Sequence, residues 1–209
     1  MSRKRVKLRR LVPSFANPKK WRMNSQVQEL DEIEWQTIRR KILARYDYTC
    51  QYCGYRSEKY QIVHHLDGDP AKNDERNLTV ICQMCNLIEH SGQGCVIKGM
   101  LDLYKKSKYS QNEIIKITRQ MRDQGKSDDE IISFLGLTQK VPFRMDRRYL
   151  SRLYGFVTSR PTRTGDDMHD RRREYHERLL HATKELDVES SQVTHNHGRI
   201  KEDEHQRRN

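Results

Sequence analysis

Two Cys-x-x-Cys pairs flank a double histidine in the first half of the chain. The four cysteines are Cys50, Cys53, Cys82 and Cys85. Four thiolates in paired spacing are typical of a closed, tetrahedral zinc site that stabilises a small fold. His64 and His65 lie between the pairs, and adjacent imidazoles offer a metal ligand beside a proton acceptor. The cysteines therefore predict a structural zinc ion, and the histidines predict that the same module carries out chemistry.

A predicted helix over residues 83–90 carries two more candidate ligands. Asn86 and His90 are four residues apart and therefore share one face of that helix. This face is rotated away from the cysteine ligands, so it can hold a second metal against the preceding strands. Neighbouring residues on a strand point to opposite sides, so His64 can bind this metal while His65 reaches a different atom.

The elements that must position these side chains follow from local patterns. Apolar spacing and turn residues predict a helix, a strand, a polar loop, a second strand and a second helix, over residues 29–46, 60–64, 66–77, 78–81 and 83–90. Ser91, Gly92 and Gly94 are expected to end the second helix. This order would bring the double histidine against the helix face that carries Asn86.

These residues resemble the HNH nucleases, a family built on a ββα-metal core. The segment His64-His65-Leu-Asp-Gly-Asp69, followed by Asn73, Asn77-Leu78 and Cys82-x-x-Cys85-Asn86, is similar to the cysteine-bearing branch of that family. The resemblance covers about residues 35–92. It implies an α+β fold with a small ββα-metal core and a structural four-cysteine zinc site. It also implies a metal-dependent DNA endonuclease, similar to homing or phage-type enzymes.

The resemblance implies a role for each matching residue. His65 corresponds to the general base that takes a proton from water. His64 and Asn86 correspond to ligands of one catalytic divalent cation, and His90 to a further ligand found in part of the family. Asn77 corresponds to the asparagine that ties the loop and aims His65. The cation (Mg²⁺, Mn²⁺ or Ni²⁺) would stabilise charge on the phosphate while water attacks in line.

One departure from the family pattern concerns the cation ligands. Many relatives have Asp where His64 stands and His where Asn86 stands. The ligands here are mainly neutral unless Asp67 or Asp69 contributes. Because Mg²⁺ prefers carboxylate oxygens and imidazole suits Mn²⁺ and Ni²⁺ better, we expect these metals to support activity at least as well as Mg²⁺.

The composition indicates a polyanionic partner and no large single core. The 209 residues are 34% hydrophobic and 33% charged, with 41 Lys and Arg against 29 Asp and Glu, a net charge of +12. Such an excess favours DNA as the partner. No apolar run is long enough to cross a membrane, and paired cysteines indicate metal binding in a reducing compartment, so an intracellular protein is expected. Cys95 is left over as a small hydrophobic residue.

The chain divides into four predicted parts. They are a basic flexible arm (1–28, with nine Lys or Arg and no acid), the nuclease domain (29–99), a helical DNA-binding region (100–158) and a charged, partly helical or disordered tail (159–209). In the third part, helices are predicted over 110–124, 127–135 and about 142–155. Their order resembles a helix-turn-helix unit, whose last helix would present to DNA the cations Lys140, Arg144, Arg147, Arg148 and Arg152.

A second class of function stays open at this point. A non-catalytic, zinc-dependent nucleic-acid-binding regulator or packaging accessory needs only the four cysteines and the basic surface. RNA is less favoured as a target because no stacking-aromatic motif is present.

A single nuclease site cuts one strand per binding event, so double-strand cleavage would need a homodimer or two successive nicks. The sequence does not choose between these.

Overall fold

The computed structural model describes residues 8–15, 32–159, 171 and 173–178. The elements in chain order are helix α1 (Glu32–Arg45), strands β1 (Gln61–His65) and β2 (Leu78–Cys82), helix α2 (Gln83–Glu89), a π-helix (Gln93–Lys98), strand β3 (Leu101–Lys106), helices α3 (Gln111–Asp123) and α4 (Asp128–Leu135), strand β4 (Thr138–Val141), helix α5 (Arg147–Leu150) and strand β5 (Tyr154–Val157). The mixed helix and strand content confirms the α+β class. The predicted arm outside 8–15 and most of the predicted tail lie outside the described residues.

The predicted strand–loop–strand–helix order is present around the double histidine. Strands β1 and β2 pair antiparallel, with His64 opposite Thr79 and His65 opposite Leu78. Helix α1 packs on this hairpin through an apolar cluster that includes Ile42, Leu43, Val63, Leu78 and Val80. Helix α2 begins directly after β2. The hairpin and α2 therefore form a ββα unit, as the sequence predicted.

The region after residue 100 contains a sheet as well as helices. Helices α3 and α4 were expected, and each begins with a capping box, at Ser110–Glu113 and Ser127–Glu130. The predicted third helix over about 142–155 is wrong. Strands β4 and β5 pair with opposite edges of β3 in a three-stranded antiparallel sheet, and only the four residues of α5 are helical. No helix follows α4 at 138–141, so the expected helix-turn-helix arrangement is absent there.

One apolar core joins the cysteine cluster to this second sheet. All four paired cysteines lie in it together with Ile81 and Ile88 of the ββα unit and with Leu103, Ile115 and Val157 from β3, α3 and β5. A separate cluster of six buried residues, including Ile131 and Phe156, holds α4 against the sheet. The ββα unit and the following region thus share a core around the cysteines.

Residues 8–15 do not form the flexible arm predicted for residues 1–28. The Arg9 N–H donates to the Gln51 carbonyl at 2.8 Å, and the Ser14 N–H donates to the Ile88 carbonyl at 3.1 Å. Leu11 is 1% exposed, and its N–H donates to Asn112 Oδ1 at 3.0 Å. This segment is therefore fixed from the cysteine loop to the end of α2. The sequence predicted a flexible arm because basic residues dominate residues 1–28, although apolar residues such as Leu11 lie among them.

Helix α2 ends at Glu89, close to its predicted end, but Gly92 and Gly94 are themselves helical and do not act as the expected breakers. Gly92 has ordinary right-handed helical angles, and the π-helix follows it. A side chain at Gly92 would overlap the ring of Tyr175, and one at Gly94 would press on Leu101 at 2.9 Å. These glycines therefore permit close packing.

Among the described residues, no helix is both long and apolar enough to cross a membrane.

Candidate metal centres and catalytic site

The four paired cysteines converge on one point. Their sulfur atoms all lie within 4.8 Å of one another, and all four residues are buried. Cys53 Sγ and Cys82 Sγ are 3.6 Å apart. Zinc–sulfur bonds of about 2.3 Å in a tetrahedron require sulfur atoms separated by about 3.8 Å, so the spacing fits a zinc ion held by all four thiolates. Cys95 lies outside this cluster.

Arg119 of α3 caps the cysteine cluster from the second region. Its guanidinium lies 3.6 Å from the centre of the Tyr55 ring and donates to Cys82 Sγ at 3.6 Å. A cationic donor beside a thiolate offsets the negative charge of a four-cysteine zinc site. No local sequence signal marks this residue, because α3 lies far from the cysteines along the chain.

The second group of predicted ligands also comes together. The rings of His64 on β1 and His90 at the end of α2 have centroids 5.2 Å apart, and the Asn86 side chain lies beside His64. The Nδ1 atom of His90 is buried and has no hydrogen-bond partner among the described residues. A buried ring nitrogen without a partner fits a metal ligand better than a structural histidine. The three residues could therefore hold a divalent cation.

Both imidazoles in this cluster favour the neutral form. Burial, with the charges of His90 and His65, lowers the pKa of His64 to about 4. Burial, with the nearby Lys98 ammonium, lowers the pKa of His90 to about 4. Neutral imidazoles have the lone pair that metal binding needs. Among the described residues, no carboxylate groups with this pair, so the donor set is two imidazoles and one amide.

His65 is held by residues from two other elements. Its ring lies nearly parallel to that of Trp35 on α1, with centroids 6.0 Å apart, and its Nε2 is 3.0 Å from Asn73 Oδ1. An amide oxygen can only accept, so Nε2 is the donor in this contact, which leaves Nδ1 as the ring atom that can accept a proton. The sequence pattern assigned no role to Asn73. Its place in the motif quoted above was the only sequence signal for this contact.

Asn77 ties the loop that follows the double histidine. Its Oδ1 accepts from the Asp67 N–H at 3.2 Å, and its Nδ2 donates to Asp67 Oδ1 at 2.9 Å and to the Lys72 carbonyl at 3.0 Å. Burial tends to raise the pKa of Asp67, but the bonds from Asn77 and the Asp69 N–H, with Lys72, outweigh it and lower the pKa to about 2. Asp67 therefore serves the loop, and neither it nor Asp69 joins the histidine cluster.

The five cations predicted for DNA contact are exposed but do not share one helix. Lys140 lies on β4 and pairs with Asp102 at 2.7 Å, and Arg147 on α5 donates to the Phe15 carbonyl at 3.3 Å. Arg144 lies over the Tyr149 ring, 5.3 Å from its centre, in the loop before α5. Arg148 and Arg152 are exposed near α5. The expected recognition helix is absent, and DNA contact by these residues stays a prediction.

Glu89 is a further ionisable group that sequence analysis missed. It accepts a hydrogen bond from buried Tyr52, and burial raises its pKa to about 7. The folded protein therefore holds this proton more tightly than the unfolded chain does. Stability due to this proton is full below about pH 4.5 and is lost as pH rises through about 7.

Glu89→Gln should remove that pH dependence. The wild-type free energy of unfolding is expected to fall by up to about 3 kcal/mol more than that of the variant between pH 4.5 and 8, because each pH unit separating folded and unfolded pKa values corresponds to about 1.4 kcal/mol. Urea unfolding across this range measures it. Glu58→Gln, which changes an exposed carboxylate, is the control. Parallel pH profiles for wild type and Glu89→Gln would contradict the expectation.

The fold and these two clusters define a class of protein. A ββα unit with a four-cysteine site, a double histidine on β1 and Asn86 on α2 is the arrangement expected of an HNH domain. Residues 50–92 match the family model described as HNH endonuclease, so this part of the chain is similar to an HNH domain.

A curated relative adds a different context. Over 83 residues the chain is 37% identical to a protein of Legionella pneumophila subsp. pneumophila (strain Philadelphia 1) named "Type 4 apparatus protein DotN". The match spans 38% of this chain and 38% of that relative.

Proposed function

We propose that the protein is a metal-dependent DNA endonuclease that hydrolyses phosphodiester bonds through its HNH domain. The observation that carries the proposal is the pairing of two features on neighbouring residues of β1. His64 belongs to a half-buried cluster able to bind a cation, and His65 has a ring held by Asn73, with Nδ1 left as an acceptor. Nucleic-acid binding alone requires neither feature.

The residues act in distinct ways in this reaction. His65 accepts the proton of the attacking water at Nδ1, and Asn73 and Trp35 hold its ring during that step. Asn77 fixes the loop that carries Asn73. His64, Asn86 and His90 would hold the divalent cation, which supplies charge stabilisation at the phosphate and the departing oxygen. Cys50, Cys53, Cys82 and Cys85 would hold zinc and keep the ββα unit folded.

A non-catalytic role is the second candidate, and the likeness to DotN favours it. That relative is named as an apparatus protein, so an HNH domain here could serve as a zinc-stabilised scaffold within a larger assembly. This candidate leaves the fixed tautomer of His65 and the unpartnered Nδ1 of His90 without a purpose. It predicts that replacing His65 changes no activity.

A supercoiled-plasmid assay with added Mg²⁺, Mn²⁺ or Ni²⁺ tests the proposal directly. Metal-dependent conversion to nicked or linear DNA supports the nuclease and shows how many strands are cut. No cleavage of plasmid or genomic DNA by folded, zinc-loaded protein with any of these metals would favour the scaffold. Genomic DNA is included because it samples far more sequences than a plasmid does.

The neutral donor set leads to a prediction about the metal. We expect Mn²⁺ or Ni²⁺ to support cleavage at least as well as Mg²⁺, because two imidazoles and an amide contain no carboxylate oxygen. Initial nicking rates at matched metal concentrations give the comparison. His64→Asp, which restores a carboxylate, should shift the preference toward Mg²⁺. Cleavage with Mg²⁺ alone would contradict the expectation.

A further inference from the structure

A cleft of about 250 Å³ opens beside the candidate cation ligands. Residues just before β1, the first turns of α2 and the end of the π-helix form its walls. Lys59, Tyr60, Gln83, Asn86 and Lys98 are among the residues that line it. Asn86 belongs to both the cleft and the histidine cluster. A ligand in the cleft would therefore lie next to the site where we propose that the phosphate is cut.

The charge of the cleft favours an anion. Its lining contains two lysines, from different elements, and no carboxylate. Neither Lys59 nor Lys98 pairs with a carboxylate of the described residues. Glu58, the acid next to Lys59, is engaged by Arg56 at 3.0 Å. The π-helix, a rare element that is frequent at functional sites, ends at Lys98 and brings its ammonium close to His90.

Tyr60 gives the cleft an exposed aromatic wall. Its side chain is 67% exposed, and no ring of the described residues stacks on it. Phe134, which is also exposed, is by contrast covered on one face by Tyr109, with ring centroids 5.9 Å apart. An aromatic ring beside unpaired cations suits a ligand that carries both phosphates and flat bases. A simple anion would need only the lysines.

We propose that this cleft binds the DNA strand next to the scissile phosphate, with Lys59 and Lys98 contacting backbone phosphates and Tyr60 stacking on a base. The inference deepens the proposed nuclease function, since it assigns the path by which substrate reaches the site.

Binding measurements in a His65→Ala background separate this inference from catalysis. The probes are fluorescein-labelled oligodeoxynucleotides, single-stranded and duplex, followed by anisotropy over a series of salt concentrations. Tyr60→Ala should weaken binding of the single strand about tenfold, whereas Tyr60→Phe should keep it. Lys59→Ala and Lys98→Ala should each lower the slope of log affinity against log salt by about 0.7.

Lys105→Ala is the matched control, because Lys105 is an exposed lysine on β3 outside the cleft. It should leave the salt slope unchanged. Equal slopes for all three lysine variants, with unaltered affinity of Tyr60→Ala, would overturn the inference even if the wild type cuts DNA. Absence of DNA binding by the wild type would overturn it too. Binding that depends on Tyr60 and Lys98 without any cleavage would instead leave the cleft assigned and remove the nuclease proposal.

Discussion

Replacing His65 with alanine is expected to abolish DNA cleavage while leaving DNA binding nearly unchanged. The imidazole is the only proposed proton acceptor for the attacking water, and a positioned general base contributes roughly 10²–10⁴-fold to rate. The ring is half-buried, and its contacts among the described residues are the stacking on Trp35 and the hydrogen bond to Asn73, so its loss should leave the zinc-bound ββα unit folded. Plasmid nicking rates and oligonucleotide anisotropy, measured on the same preparations, check both halves of the expectation.

Variants of Asn73 act as matched controls for this result. Asn73→Ala removes the acceptor for the His65 Nε2 hydrogen, so the ring loses its fixed tautomer, and we expect a smaller loss of cleavage than in His65→Ala. Asn73→Asp keeps an acceptor there and should retain more cleavage than the alanine variant. If His65→Ala cut DNA at the wild-type rate, His65 would not be the general base, and another group would have to accept the proton of the attacking water.

The ββα unit was predictable because its signals are local. The cysteine spacing, the β-branched run before His64 and the polar loop at 66–77 each lie within a few residues of the structure that they specify. The capping signature at Ser127 marked the start of α4 in the same way. Because the four cysteines must reach one zinc ion, the spacing between the two pairs also limits which helices and strands can lie between them.

The second sheet was missed because its pairing is not local. Strand β3 pairs with β5, which lies about fifty residues further along the chain, as in Leu101 opposite Val157. The alternation in Leu101–Lys106 is too short to be distinguished from other irregular apolar runs. The spacing of the basic residues is compatible with one face of a helix, as for Arg144, Arg147 and Arg148. Leu150 and Leu153, however, are buried in the core around the cysteines, and Tyr154 pairs with Tyr104 of β3, which a continuous helix over 142–155 would prevent.

The proximity of the candidate ligands was predictable from the sequence, whereas the residues that hold them in place were not. His64, Asn86 and His90 were identified from spacing and resemblance, and the structure brings them together. Asn73, Arg119 and the cleft with Tyr60 depend on where separate elements meet in space. A sequence can supply an amide at position 73, but only the folded loop shows that its oxygen faces the His65 ring.

Loss of zinc is expected to unfold the ββα unit and to destabilise the second sheet with it. The four cysteines are buried in the core that also contains Leu103, Ile115 and Val157. Removing the zinc ion would leave four buried thiols with no metal to hold them together. Structural zinc contributes about 10–16 kcal/mol in small zinc-binding peptides, which is more than the whole stability of most domains.

Cys82→Ser and Cys95→Ser form a matched pair for testing this. Both exchange one sulfur for oxygen, but only Cys82 belongs to the cluster and accepts from Arg119. Cys82→Ser should lose zinc, measured by atomic absorption, together with cooperative thermal unfolding, whereas Cys95→Ser should keep about one zinc per chain and a transition close to that of the wild type. The capped helices α3 and α4, held with Phe156 in a separate cluster, would keep part of their helical signal. Retention of zinc and of a sharp transition by Cys82→Ser would mean that the core is stable without the fourth thiolate, and that the metal is not what joins the two regions.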